Sequence, residues 1–368
     1  MKFRCNSHDL LSSLQISIRA ISSRSTQPIL EGVLVEALED GLKLTASDGS
    51  FTSVTRVNAM VEVEGEAVLP GKLFSDVIRK MPAGEISASM NNAFMLTLKC
   101  AGSRTNIAGQ SADSYPRVEE MNEENSVTLP QSLIKDMIQR ISFAIPTEDA
   151  REVLLGGYFN MQSGQIDMVG LDGFRLAMRT ERVSDIENNA KAIIPLKALE
   201  EIAKLMTDDE ESMVTLKFGE NKLRVDLEKA TLYTRLKDGE YVNYKAIIPK
   251  TFKTTIRVST DDFSSCVERA ALMAIEGKNN LIKFSIEGDK LFVTSNSEMG
   301  DVFEELDVVN TGDDIVIAFN VKYLLEFNRV IIGKEIDLKF NSPVSPCVIS
   351  PAEGNDFTYL VLPVRINA

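Results

Sequence analysis

The sequence predicts an α+β chain of three tandem repeats, each built from two β-α-β-β-β halves. Three observations carry that expectation. The 368 residues exceed the roughly 250–300 at which a single core stops growing, so several domains are required. A helix signature returns at fixed spacing: Leu69-Pro70-Gly71-Lys72-Leu73-Phe74-Ser75-Asp76-Val77-Ile78-Arg79-Lys80-Met81 is matched 125 positions later by Ile194-Pro195-Leu196-Lys197-Ala198-Leu199-Glu200-Glu201-Ile202-Ala203-Lys204-Leu205-Met206. A third copy, Phe319 to Ile331, lies 125 further on, and a turn signature at Asp48-Gly49, Asp172-Gly173 and Asn296-Ser297 is spaced by 124.

Each element has a local reason. In the repeated helix the apolar residues recur three and four apart, and Pro70 and Pro195 sit at or just before the start, where a missing N–H costs nothing. The burying face is expected to be Phe74, Val77 and Met81, with Leu199, Ile202, Met206 and Leu324, Phe327, Ile331 as counterparts. Earlier helices are expected near residues 8–21, 131–144 and 261–274, the last two capped by Ser132 and by Thr260-Asp261. The Asp-Gly and Asn-Ser pairs read as hairpin turns, since glycine and short polar residues tolerate positive φ. Alternating apolar residues over Glu85–Leu98 and Met213–Leu236 read as strands. Polar stretches at Glu119–Ser126 and around Pro249-Lys250-Thr251 set expected domains of 1–123, 124–249 and 250–368. No long flexible linker separates them, so a rigid arc is expected.

Composition removes several function classes. Hydrophobic residues at 44% and charged residues at 26% give the balance of a globular protein. The stretch Met1-Lys2-Phe3-Arg4-Cys5-Asn6-Ser7 has no apolar core of a secretion signal, and no run approaches a membrane span, so a cytoplasmic, membrane-free protein is expected. Cys5, Cys100, Cys266 and Cys347 are scattered singly and His8 is the lone histidine, which leaves neither a metal site nor a histidine-based catalytic triad. No cofactor is expected.

The net charge of −14 argues against a nucleic-acid partner on average, yet the distribution of cations argues for one. Lys72, Lys197 and Lys322 share one position of the repeated helix, and Arg79, Lys204 and Arg329 share another seven residues on, almost two turns away on the same face. Any one such residue reads best as a solvated surface cation. Six basic residues at six matched positions, in a chain where acids outnumber bases 54 to 40, point to a line of phosphates. Arg24, Arg151 and Lys278 are weaker additional candidates.

The order of motifs resembles the bacterial sliding clamp family, the β subunits of DNA polymerase III, across the whole chain. The resemblance is carried by the opening Met1-Lys2-Phe3, by Arg24 with Pro28-Ile29-Leu30, by Tyr115-Pro116 and by Gly170-Leu171-Asp172-Gly173-Phe174-Arg175-Leu176. Most specific is Tyr359-Leu360-Val361-Leu362-Pro363-Val364-Arg365-Ile366. It implies a homodimeric ring with helices inside and sheets outside, holding double-stranded DNA without reading sequence and having no catalytic activity. Arg24, Lys72, Arg79, Arg151, Lys197 and Lys204 would face DNA by the resemblance, and Lys322 and Arg329 by the internal repeat. It further implies that the clamp-loading ATPase, replicative and repair polymerases and other proteins dock a short peptide in an apolar pocket between the second and third domains. By matching positions that pocket comprises Leu154, Leu171 and the turn Gly173, Phe174, Arg175, Leu176. Val242 and Val344 add to it, and the final segment supplies Val361, Leu362, Pro363, Val364 and Arg365.

A dimer edge is implied around Thr105 and Ile107 in the first domain and Leu272 and Met273 in the third. The sequence departs from the family at Phe174, where histidine is common, at Val242, where proline is usual, at Ala246, often basic, and near Thr105, where an aromatic is common. A plain closing edge strand is the competing reading of Val361 to Val364. Two other function classes compete: a carboxylate enzyme using Asp48 and Asp172, disfavoured because these sit at turns of separate repeats, and a protein scaffold with no nucleic-acid partner.

Overall fold

Main-chain pairing between repeats, rather than the limits of each repeat, organises the structure. A computed structural model describes residues 1–21, 27–119, 121, 125–183, 189–277, 279–354 and 356–365. Its chain divides into two compact units, Met1–Leu133 with Glu201–Leu236 and Ile134–Glu200 with Lys237–Ala368, so the middle repeat contributes to both.

The first unit holds two antiparallel sheets. One orders Ala59–Val63, Lys2–Asn6, Glu85–Met90, Met95–Cys100 and Ser103–Ala108. The other has eight strands, in which Ala230–Arg235 of the middle repeat pairs with Phe51–Val57 of the first, Tyr233 opposite Thr52. Helices α1 (Ser7–Ser17) and α2 (Gly71–Lys80) pack together, with Leu10, Leu14 and Phe74 fully buried. In the second unit a nine-stranded sheet joins Arg175–Arg182 to Phe357–Val361, Leu176 opposite Leu360, and a four-stranded sheet ends on Gly300–Asp307. Strand pairing across each repeat junction satisfies N–H and C=O groups that would otherwise line an open edge.

The remaining helices are α3 (Gln131–Ser142), α4 (Leu196–Leu205), α5 (Tyr244–Ile247), α6 (Thr260–Glu276) and α7 (Val321–Asn328). Several sequence expectations are corrected here. In α2 the buried residues are Gly71, Phe74, Ser75 and Ile78, whereas Val77 is half-buried and Met81 lies past the helix end, so the apolar face is rotated by one position. Leu199 and Ile202 in α4 and Leu324 and Phe327 in α7 are buried as expected, and Met206 and Ile331 are buried just past the ends of those helices. The first helix tightens to a 3-10 turn at Ile18–Ala20. Ser132 lies inside α3, and α6 is capped by Ser259, whose hydroxyl accepts from the Asp262 N–H, with Thr260 already helical. The third hairpin turns at Glu298-Met299, because Asn296 and Ser297 still pair in the strand Lys290–Ser297.

Two tyrosines repeat one device. Tyr115 Oη donates to the Thr45 carbonyl at 3.2 Å and Tyr241 Oη to the Val169 carbonyl at 3.4 Å, with acceptors 124 residues apart. In the second unit a further tether follows. Asp167, 1% exposed, accepts from Tyr244 Oη at 2.7 Å, from Gln165 and Thr180, and lies 3.1 Å from Lys245 Nζ. Burial opposes the Asp167 charge, but the bonds from Tyr244, Gln165, Lys245 and Thr180 outweigh it and hold the carboxyl below the usual range.

Because the folded carboxyl is the stronger acid, its stabilisation is present above the unfolded value of about 3.9 and is lost as pH falls through the folded value. Denaturation titrations of the parent should therefore steepen below about pH 4, and Asp167→Asn should flatten that limb. Tyr244→Phe should cost about 1–3 kcal/mol at neutral pH, because it leaves a buried carboxylate short of a donor. Identical acid limbs for parent and Asp167→Asn would show that this carboxylate does not tether the loop.

Candidate partner-peptide cleft and cationic helix faces

The apolar residues expected to form a pocket are gathered in the second unit by the strand pairing just described. Leu154, Leu171, Leu176 and Leu360 form one buried cluster with Tyr241, Tyr244 and Val348, and Leu362 and Val153 pack against it half-buried. Tyr158 stacks on Tyr241 with ring centroids 4.7 Å apart, closing one side. The turn at the mouth is set by Asp172, whose Oδ1 accepts from the Phe174 and Arg175 N–H groups at 2.9 and 3.1 Å. Gly173 occupies φ +92°, a conformation that favours glycine. Beyond Val361 the chain is pinned by Leu362 N–H donating to the Phe174 carbonyl and Val364 N–H to the Ala318 carbonyl, both at 2.8 Å.

Val361 is fully buried, opposite Arg175 on one side and Cys347 on the other. Its strand is therefore internal, which removes the reading of a closing edge strand. Pro363 is half-buried, while Val364, Arg365, Val242, Val344 and Phe174 are exposed. Ala246 is exposed as well.

Arg175 is a hub rather than a rim cation. Its Nε donates to Asp172 Oδ2 at 2.9 Å, Nη2 to the Phe143 carbonyl at 2.6 Å, and Nη1 pairs with Glu326 of α7. The guanidinium lies over Tyr323 at 4.6 Å and over Phe143 at 5.5 Å, and Tyr323 in turn stacks on Phe174 at 6.3 Å. Tyr323 and Glu326 escaped the sequence reading because the repeated helix was read for its cations. A signal was present, since Leu73 and Ala198 stand at the equivalent positions and an aromatic appears there once.

The cations lie on the exposed sides of their helices. Lys72, Arg79, Lys197, Lys204, Lys322 and Arg329 are all exposed, Arg329 at the cap just past α7. Several have acids alongside: Arg79 pairs with Asp76, Lys204 with Glu201 at 2.7 Å, and exposed Arg151 with Asp149 at 3.0 Å. Arg24 and Lys278 lie outside the described residues. The turn aspartates are committed elsewhere, Asp48 Oδ1 accepting from the Ser50 and Phe51 N–H groups, which weakens a catalytic reading of Asp48 and Asp172.

For the expected dimer edge the picture divides. Ser103–Ala108 and Gly300–Asp307 are each the outermost strand of a sheet. Ile107, however, is 2% exposed and Thr105 half-buried, so the Ile107 side chain packs in its own core and the strand offers its backbone instead. In the second unit Leu272 is 64% exposed, Met273 is half-buried, and Phe303 on the outermost strand is 61% exposed. Phe303 was not anticipated.

Comparisons with known proteins fit this geometry. Profiles of the DNA polymerase III β subunit match as its N-terminal domain over residues 1–119, its central domain over 128–243 and its C-terminal domain over 245–365. A β sliding clamp of Staphylococcus aureus is 30% identical over 375 residues, covering 99% of both chains. The crystal structure of the DNA polymerase sliding clamp from Bacillus subtilis superposes with a TM-score of 0.96 at 29% identity, and that of the DNA polymerase III β subunit from Thermotoga maritima with 0.92 at 26%, each covering 100% of both chains. The chain thus belongs to the DNA polymerase III β subunit family, the bacterial sliding clamps.

Proposed function

We propose that this chain is a non-catalytic processivity clamp in the cytoplasm: two copies close into a ring around duplex DNA and tether the replicative polymerase to it. The observation that carries the reading is the set of six exposed cations at matched positions of three family domains, in a chain of net charge −14. Phosphates are the shared feature of all DNA sequences, so a line of lysines and arginines suits sequence-independent contact. The acids beside Arg79, Lys204 and Arg151 suit it further, because partly neutralised cations make a shallow well in which a ring can move. The domain limits we propose are 1–123, 124–249 and 250–368.

The ring would close between the backbone edge of Ser103–Ala108 in one copy and Gly300–Asp307 in the other, with Leu272 and Phe303 covered. The apolar cluster around Leu171, Leu176 and Leu362 would receive a short peptide from the clamp-loading ATPase, the replicative polymerase or repair polymerases, whose aliphatic anchors supply most of the energy. Arg175 would act by fixing the lip, through Tyr323 and Glu326, and Phe174 would set a preference at the rim. Among the described residues no helix is long and apolar enough to cross a membrane.

The triple reversal Lys72→Glu, Lys197→Glu, Lys322→Glu should leave the melting temperature within a few degrees of the parent and cut retention on circular DNA at least about tenfold. Each lost phosphate contact should also flatten the slope of log affinity against log salt by about 0.9. A triple variant that loads and stays like the parent would overturn the DNA-facing assignment. Removing residues 362–368 should abolish binding of a fluorescent clamp-loader peptide while light scattering still reports twice the chain mass. Undiminished peptide affinity in that variant would refute the cleft.

A further inference from the structure

The backbone frame that carries the apolar cleft occurs a second time, within the first unit, at the junction of the first and middle repeats. There Asp48 organises the turn as Asp172 does, and Arg235 N–H donates to the Ser50 carbonyl at 2.9 Å just as Leu362 N–H does to Phe174. Ser50 and Phe174 are 124 residues apart. The registers agree too, with Tyr233 opposite Thr52 where Leu360 is opposite Leu176. Beside this turn lies an open cavity of about 350 Å³.

The frame is shared and the side chains are not. Four leucines of the apolar cleft have polar counterparts, Ser47 for Leu171, Thr52 for Leu176, Tyr233 for Leu360 and Arg235 for Leu362, while Leu154 keeps an apolar one in Leu30. Ser47 and Thr52 join their hydroxyls at 2.8 Å across the floor. The wall carries three cations, Arg117, Lys222 and Arg235, against one carboxylate, Glu119. Within the wall itself cations outnumber carboxylates, against the chain's 54 acids and 40 bases, while Glu36 and Glu66 pair with Arg117 from outside it. Lys222 is held by Glu119 at 2.5 Å and Arg117 by Glu36 and Glu66 at 3.3 and 2.7 Å. The Lys222–Glu119 pair faces solvent and is weak, so an incoming carboxylate can exchange with it.

Pro116, Val118 and Tyr233 give an apolar anchor only part of a wall here, whereas carboxylates meet three cations and a hydroxyl floor. We propose that this cleft is a second docking site, which takes an extended acidic peptide segment and reads carboxylates where the other cleft reads aliphatic side chains. The inference rests on the reading of the apolar cleft as a peptide site. It assigns the two junctions to different peptide chemistries, so one partner protein could hold the clamp by two segments.

The test is fluorescence anisotropy on the full-length protein with two labelled probes, the acidic peptide Gly-Ser-Glu-Asp-Glu-Ser-Asp-Gly and the aliphatic peptide Gly-Ser-Leu-Ser-Leu-Phe. The acidic probe should bind saturably. Its Kd should rise at least about tenfold in Lys222→Glu/Arg235→Glu and stay unchanged in Lys99→Glu/Lys191→Glu, reversals of exposed lysines elsewhere. A probe with lysine at each acidic position should bind the Lys222→Glu/Arg235→Glu variant at least about tenfold tighter than the parent. Retained binding of the aliphatic probe by that variant shows that it is folded. No saturation by the acidic probe, or equal loss in the two double variants, overturns the second site. Failure of the aliphatic probe on the parent, with the acidic probe behaving as expected, instead removes the reading of the apolar cleft.

Discussion

Strand pairing across the repeat junctions is the constraint on which the other features depend. Residues 230–234 pair with 51–55, and 175–179 with 357–361, so the main chain of one repeat continues the sheet of the next. Hydrogen bonds of this kind fix register to one residue, because a slip by one turns every side chain to the opposite face. The turn at each mouth, the carbonyl that pins the following segment and the cleft beside it all inherit that register. Loss of the ladder would therefore scatter Leu176, Leu360 and Leu362 together.

The two ladders are secured from their helix sides by different chemistry at corresponding positions. At the first junction Ser17 and Thr55 join hydroxyls at 3.0 Å, and Ser17 also donates to the Ser13 carbonyl at 2.9 Å. At the second, Asp136 bridges Arg140 at 2.7 Å and Arg179 at 3.0 Å, Arg179 reaches Glu181 and Asp356, and Arg140 lies over Phe357 at 5.4 Å. Both arginines are under 10% exposed, at 4% and 7%, so removing Asp136, which pairs with both, leaves buried charge short of its counter-ion. One frame with two chemistries, on the helix side and again in the clefts, is what duplication followed by divergence leaves behind.

Much of this was legible in the sequence because it is periodic. Constant spacing of the Lys72, Lys197 and Lys322 helices revealed the repeats, and the Asp48 and Asp172 turns formed as their Asp-Gly pairs required. Periodicity failed where a local competitor existed. Ser259 captured the α6 cap one residue early, and Asn296 stayed in its ladder because the partner strand ran on to Asp301. Long-range contacts left no periodic trace at all. Nothing in the spacing of Arg175, Glu326 and Tyr323 announced that they meet, and Ile107 looked available until its sheet turned it inward.

On the proposed reading, six matched cations on the helix faces of an acidic protein attract DNA weakly, and weak attraction retains nothing unless the chain closes around its partner. The most direct measurement is dissociation of the loaded protein from nicked circular DNA before and after a restriction enzyme linearises it. Topological linkage predicts slow loss from the circle and rapid loss once free ends exist. Equal lifetimes on the two forms would contradict encirclement and return the matched cations to the status of solvated surface charge.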